Sequence, residues 1–282
     1  MNALDYAEKA NRIFVLSDSF IRIKELIDCD RSTIDDIAEV IVLDPALAST
    51  VLKLANSSFF NYPGKIDTIS KAVLILGITE VYNLVIAYFT TEAFQEITAD
   101  LNYLNDFWEQ SVSCALLVKY VGNKMSIKNS ERLFILVLLH NIGELVVQQF
   151  NPDAVEKCSH HNISNLPWQV QKKELGFTYA DVTAELLKLW QLPVSISSPI
   201  AGQDDDKDFF ALPTETQLLY LAKRIMLQEF VYPNEHITQL IDKDILDTKG
   251  IDSAIVQEAH AYSDMEKLAI LSVLNPGAAT IY

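Results

Sequence analysis

The chain has 282 residues, half of them hydrophobic, which is enough for one large domain or two lobes. Thirty-eight acidic residues against 22 basic ones leave a formal charge of −16. No basic run is visible, which argues against nucleic-acid binding, because that depends on Lys and Arg neutralising phosphates. With only 8 glycines and few alternating strand patterns, the sequence predicts an all-α fold, a two-lobed helical bundle with lobes over residues 1–100 and 101–282.

No apolar stretch reaches the roughly 18–20 residues of a membrane helix, so no membrane association is expected. Met1-Asn2-Ala3-Leu4-Asp5 lacks the basic and long apolar regions of a secretory signal. Cys29, Cys114 and Cys158 are scattered and form no Cys-x-x-Cys pair. They point to the reducing cytoplasm.

Along the first lobe, a helix from Ser17 to Ile27 places Phe20, Ile23 and Ile27 on one face. Ser32-Thr33-Ile34-Asp35-Asp36 offers a capping box before Ile37, Ile41 and Val42. Asp44 and Pro45 open the next helix as N-cap and first helical residue, with Leu47, Val51, Leu54 and Ala55 as its stripe. Asn56 to Gly64 reads as a loop with three outward aromatics, Phe59, Phe60 and Tyr62. Asn56 and Ser57 are placed to satisfy backbone groups where the preceding helix stops. Asp67 or Thr68 opens a helix that Gly77 ends. Thr79 to Ile97 follows, with Val81, Leu84, Val85, Tyr88 and Phe89 inward.

The second lobe starts near Leu101, with Val112, Ala115, Leu116 and Tyr120 on an inward face. Six apolar residues, Phe134 to Leu139, then run into His140 and Asn141. Ser130 and Glu131 read as the cap, and the apolar run predicts one buried helix from 133 to 147. Polar groups inside such a helix need partners, because an unpaired buried donor costs roughly 1–3 kcal/mol. His140 and Asn141 are therefore either a satisfied core pair or part of a site. His160 and His161 point in different directions on a helix and read as surface. Asp204-Asp205-Asp206-Lys207-Asp208 reads as a solvated loop. Helices over 214–230 and 252–274 complete the chain, and the tail from Asn275 reads as frayed.

Leu138-Leu139-His140-Asn141-Ile142-Gly143 resembles the Leu-Leu-His-Asp-Ile-Gly signature of the HD superfamily of metal-dependent phosphohydrolases, with Asn141 in place of the aspartate. Asp44-Pro45-Ala46-Leu47, then Leu54-Ala55-Asn56-Ser57-Ser58-Phe59-Phe60, Ile69 through Ala72, and Leu76-Gly77 resemble in order the HDOD family, a bacterial relative of the HD domain found in signal transduction. Trp108, Gly143, and Trp190 with Pro193 fall at further motif positions. The resemblance covers about residues 12–205 and implies an HD-like second lobe.

In that family an active site binds metal through histidines and an aspartate. Where the resemblance places those ligands, this chain has Gln110, Asn141, Tyr179 and Gln203, and His140 alone persists. A catalytic divalent metal needs about three protein ligands and an open position. Asn is also a far weaker ligand than Asp for a hard cation. Glu144, three residues after Asn141 and on a similar face, is the one further oxygen placed to join His140 as a weak metal contributor. The expectation is accordingly no catalytic residue, no metal and no cofactor. The five residues Gln110, His140, Asn141, Tyr179 and Gln203 are expected to line a degenerate pocket between the lobes. The leading reading is a non-catalytic signalling module that binds a partner protein or a small ligand. The resemblance implies a partner from a receiver or cyclase system. The alternatives are an HD-type phosphohydrolase acting on a nucleotide, and a purely structural interaction protein contacting through its loop aromatics. Oligomeric state is left open.

Overall fold

In the computed structural model, the structure describes residues 1–13, 17–29, 31–57, 60, 62–97, 100–127, 133–204 and 208–274. Ser130 and Glu131, Ser58, Phe59 and Asn61, residues 205–207 and the tail from Asn275 lie outside them. The described residues are helical, with no strand among them: α1 (Ala3–Ile13), α2 (Asp18–Ile27), α3 (Ile34–Val42), α4 (Pro45–Ala55), α5 (Ile69–Leu76), α6 (Ile78–Ile97), α7 (Leu101–Lys124), α8 (Phe134–Leu139), α9 (Ile142–Phe150), α10 (Pro152–Cys158), α11 (Pro167–Leu175), α12 (Tyr179–Leu189), α13 (Val194–Ala201), α14 (Thr214–Phe230), α15 (Lys243–Lys249) and α16 (Ser253–Leu274). The all-α expectation holds.

The chain divides into two compact units, residues 15–109 with 266–282 and residues 1–14 with 110–265. This differs from a division at residue 100. Tyr6 of α1 is buried, its ring 5.6 Å from Phe177, and its hydroxyl accepts from Asn151 Nδ2 at 3.2 Å, which ties α1 to the second of these units. Lys267 pairs with Glu109 at 3.1 Å in the first.

In the unit of residues 15–109, local chemistry sets the helix starts. Ser17 Oγ accepts from the Phe20 N–H, and Thr33 and Asp36 form a reciprocal capping box. Asp44 Oδ1 accepts from Ala46 and Leu47 N–H groups, both at 3.0 Å. Gly77, at φ +92°, ends α5 where an L side chain would be strained. Phe20 anchors the core between Tyr82 and Phe89. Asn56 clamps the loop after α4: its Oδ1 accepts from Ile66 N–H at 2.8 Å, while Nδ2 donates to the Ile66 and Leu52 carbonyls at 2.6 and 2.7 Å. Burial differs from the sequence reading at several positions of this unit. Val42 is exposed, because it lies one residue past Ile41 and so about 100° around the helix from the buried Ile37–Ile41 stripe. Tyr88 is half-buried and donates to Glu92. Phe60 is half-buried rather than outward, while Tyr62 is exposed with its ring against Gly64.

In the unit of residues 1–14 and 110–265, α12 packs against α1, α9 and α13. The predicted single helix from 133 to 147 is instead two, α8 and α9, with the break at His140 and Asn141. Asn141 leaves helical geometry at φ −125°, ψ 14°. Gly143 then packs directly on α12. A Cβ there would lie 2.1 Å from the Tyr179 carbonyl oxygen and 2.9 Å from the Thr183 nitrogen. Only glycine permits this approach, and it redirects the chain after His140. The charge run is also not wholly solvated: Asp204 is buried in an ion pair with Lys223, whereas Asp208 is exposed and caps the 3₁₀ turn Phe209–Ala211. His160 is exposed, but His161 is half-buried, Nδ1 to Tyr232 hydroxyl 2.6 Å, because the 230s segment folds back on it.

Candidate functional site

His140 sits at the C-terminal end of α8, buried among apolar neighbours. Its Nδ1 donates to the Val137 carbonyl at 2.5 Å. That bond fixes the tautomer, with the proton on Nδ1 and the lone pair on Nε2. Burial, reinforced by the positive charge of Lys223 and opposed by the bond to Val137, pushes its pKa down to about 3. The imidazole is therefore neutral at pH 7.

Gln203 is fully buried just after α13, and its Nε2 donates to the His140 carbonyl at 3.0 Å. Asn141 turns the other way: its Nδ2 donates to Glu144 Oε2 at 2.5 Å, one turn into α9. Tyr179 is buried at the start of α12, where Thr178 and Asp181 form a capping box and the buried Gln171 accepts the Tyr179 N–H at 3.0 Å. Burial, and after it the Glu144 carboxylate, raise the Tyr179 hydroxyl far above the ordinary phenol range. The Cys158 thiol lies beside that hydroxyl, though not in hydrogen-bond geometry. Gln110 is exposed on α7 and makes no hydrogen bond to the other four residues.

The structure thus links His140 to Gln203, and Asn141 to Glu144. Tyr179 joins them through Gly143: Thr183 Oγ1 accepts from Gly143 N–H at 2.8 Å and donates to the Tyr179 carbonyl at 3.0 Å. Gln110 stands apart. Sequence reasoning missed Thr183, Gln171 and the Lys223–Asp204 pair. Lys223 carried a readable signal, being one of two adjacent charges, with Arg224, inside the otherwise apolar stretch Leu218 to Ile225.

These side chains do not fit a divalent metal. One imidazole offers Nε2; beside it stand amides and a phenol held protonated, and the one carboxylate linked to them, Glu144, is already bound by Asn141. Among the described residues no three His, Cys, Asp or Glu side chains are grouped to hold a metal ion. What the arrangement offers is neutral hydrogen bonding. The Tyr179 hydroxyl, Gln203 Oε1 and Asp204 Oδ2 are enclosed without a hydrogen-bond partner among the described residues. Nearby, burial pushes the Cys114 thiol up to about 12, which makes it a poor nucleophile.

The same helical fold recurs in known proteins. A candidate phosphohydrolase of known structure from Shewanella amazonensis SB2B superposes with a TM-score of 0.68 at 23% identity, covering 96% of this chain and 97% of its own. A candidate signal transduction protein from Marinobacter aquaeolei VT8 superposes with a TM-score of 0.65 at 21% identity, over 99% of this chain and 66% of its own. These likenesses show the fold. An uncharacterized protein of Treponema pallidum (strain Nichols) is 26% identical over 201 residues, 70% of this chain, and this chain spans only 39% of that protein's length. Among the described residues no helix is long and apolar enough to cross a membrane. The family model for the HDOD domain matches residues 13–205, a span that takes in the α4 cap, the Asn56 clamp, the Gly143 contact and positions 110, 140, 141, 179 and 203 alike, and the chain belongs to the HDOD domain family.

Proposed function

We propose that this protein is a non-catalytic, cytoplasmic signal-transduction module that binds a partner protein or a small ligand through the degenerate site around His140. The observation that carries this reading is the donor set. A metallohydrolase generates its nucleophile by lowering the pKa of metal-bound water, and the donors here are one buried neutral imidazole, amides, a protonated phenol and a single carboxylate, Glu144, already bound by Asn141. Catalysis without metal would need a nucleophile paired with a base. Ser111 and Ser113 are buried on α7, and Ser113 Oγ has no hydrogen-bond partner among the described residues, so it is not activated. The polar groups that remain suit recognition of a ligand with both donors and acceptors. Free thiols at Cys29, Cys114 and Cys158 fit a reducing compartment.

The test is to load the purified full chain separately with Mn²⁺, Zn²⁺ and Fe²⁺, desalt it, and measure retained metal by elemental mass spectrometry. Hydrolysis of bis(p-nitrophenyl) phosphate and of cyclic dinucleotides is then followed. The expected result is substoichiometric metal and no turnover above buffer. Turnover that His140→Ala abolishes would overturn the proposal.

A further inference from the structure

Beside His140 lies a charge pair that the family motifs do not account for. Lys223 Nζ donates to Asp204 Oδ1 at 2.6 Å and stands 5.1 Å from the Trp168 ring centroid. Both side chains are enclosed, with 11% and 5% of their surface exposed. Lys223 comes from α14, flanked by the fully buried Leu221, Ala222 and Ile225 and by Arg224, whose buried guanidinium lies over the Trp168 ring at 4.3 Å. Asp204 directly follows Gln203, whose amide holds the His140 carbonyl. Lys223, Asp204, Gln203 and His140 therefore form one connected polar chain through an apolar interior. We infer that the Lys223 ammonium, neutralised by Asp204, is the resident cation of this site, tying α14 to the end of α13 and so holding Gln203 on His140 in place of a metal ion.

This deepens the reading of the site as metal-free and rests on it. The chemistry is self-consistent. The donors at these positions are a neutral imidazole, amides and a phenol, the one carboxylate with them, Glu144, is already bound by Asn141, and the ammonium nearby is engaged by its own carboxylate. Like charges in a poorly hydrated interior repel strongly. The influence of Lys223 also runs against protonation of His140, as that of a bound cation would.

A double-mutant cycle on the full chain tests the assignment: Lys223→Met, Asp204→Leu and the two together, each unfolded in urea with and without EDTA. Breaking a buried pair strands one charge, while replacing both partners by apolar groups does not. Each single variant is expected to lower the folded-to-unfolded ratio on the order of a hundred- to thousand-fold, with the double variant recovering most of that loss. EDTA should leave the wild-type midpoint unchanged. Losses that simply add in the double variant, or a wild-type midpoint that falls with EDTA, would overturn the inference. If the Met and Leu variants do not fold, Lys223→Arg against Lys223→Gln decides: Arg is expected to keep the midpoint and Gln to lose it, and equal behaviour refutes the role of the charge. Turnover with added metal would instead sink the non-catalytic reading, so the two failures are separable.

Discussion

Gly143→Ala is the sharpest probe of how the site is built. The added methyl would fall 2.1 Å from the Tyr179 carbonyl oxygen, 2.9 Å from Thr183 N and 2.9 Å from Val182 Cβ. Two of these neighbours are α12 backbone, which cannot rotate away. Helix α9 must therefore move off α12 by about an ångström, at an overpacking cost of about 3 kcal/mol. The same movement breaks the 2.8 Å bond from Gly143 N–H to Thr183 Oγ1, and an unsatisfied buried donor adds about 1–2 kcal/mol. Ala has the better helix propensity, which offsets about 1 kcal/mol. The net expectation is a loss of roughly 3 kcal/mol, or a urea midpoint lower by about 1–2 M at an m-value near 2 kcal/mol/M. Intrinsic fluorescence reads the transition through the buried Trp168 and Trp190 of that unit. Thr183→Val supplies the control, since it removes the bond without the clash and should cost about 1–2 kcal/mol alone. In the Gly143→Ala background it should cost almost nothing further. A Gly143→Ala midpoint within experimental error of wild type would refute the close-packing argument.

Asn56→Ala removes three hydrogen bonds to Ile66 and Leu52 and should destabilise the unit of residues 15–109 by about 2–3 kcal/mol, with limited proteolysis accelerated between residues 57 and 66. The His140 pKa of about 3 lies below its ordinary 6.5, so the unfolded chain binds the extra proton between those values. Stability is then complete above pH 6.5 and falls as the pH drops toward 3. His140→Asn, whose amide can still donate to the Val137 carbonyl, should flatten that slope in urea titrations at stepped pH, leaving the part due to His260, which burial lowers to about 4. Combining Asn141→Asp, Tyr179→His and Gln203→His should restore micromolar Mn²⁺ or Zn²⁺ binding by calorimetry. Adding Gln110→His should raise that affinity less than twofold, because position 110 faces solvent.

The helical architecture was legible because its signals are local. The Thr33–Asp36 box, Asp44 before Pro45, and Gly77 each act within one turn, and the Ile37–Ile41 and Leu47–Val51–Leu54 stripes need only the helical period. What stayed hidden depends on partners far along the chain. Apolar residues on both sides of His140 continue a helical pattern, so the break there shows only once Gly143 is seen against Tyr179 and Thr183, some 40 residues later. Asp204 read as one more charge in a polar run until α14 supplied Lys223. Gln110 was placed by motif order alone, yet Trp108 and Ser111 on the same helix are buried while Gln110 is not.

The motif positions fall into two physical classes, and the difference explains how the fold keeps its form while the chemistry changes. Gly143, Asn56 and Asp44 meet backbone: a carbonyl 2.1 Å from a would-be methyl, the two polar groups of Ile66, the open N–H groups of α4. No other side chain meets those demands equally well, so a change there is felt as unfolding. At three of the positions where the family resemblance places ligands, each neutral occupant has a use inside the protein. Asn141 donates to Glu144, Gln203 donates to the His140 carbonyl, and Tyr179 fills its space beside Cys158. An aspartate at 141 would instead press a second carboxylate on Glu144 and require a cation to hold the two together. Among the described residues Lys223 is a cation enclosed near His140, joined to it through Asp204 and its chain neighbour Gln203, and its charge is spent on Asp204. The scaffold positions and the positions where the family resemblance places metal ligands therefore answer to independent requirements, backbone contacts for the first and side-chain partners for the second.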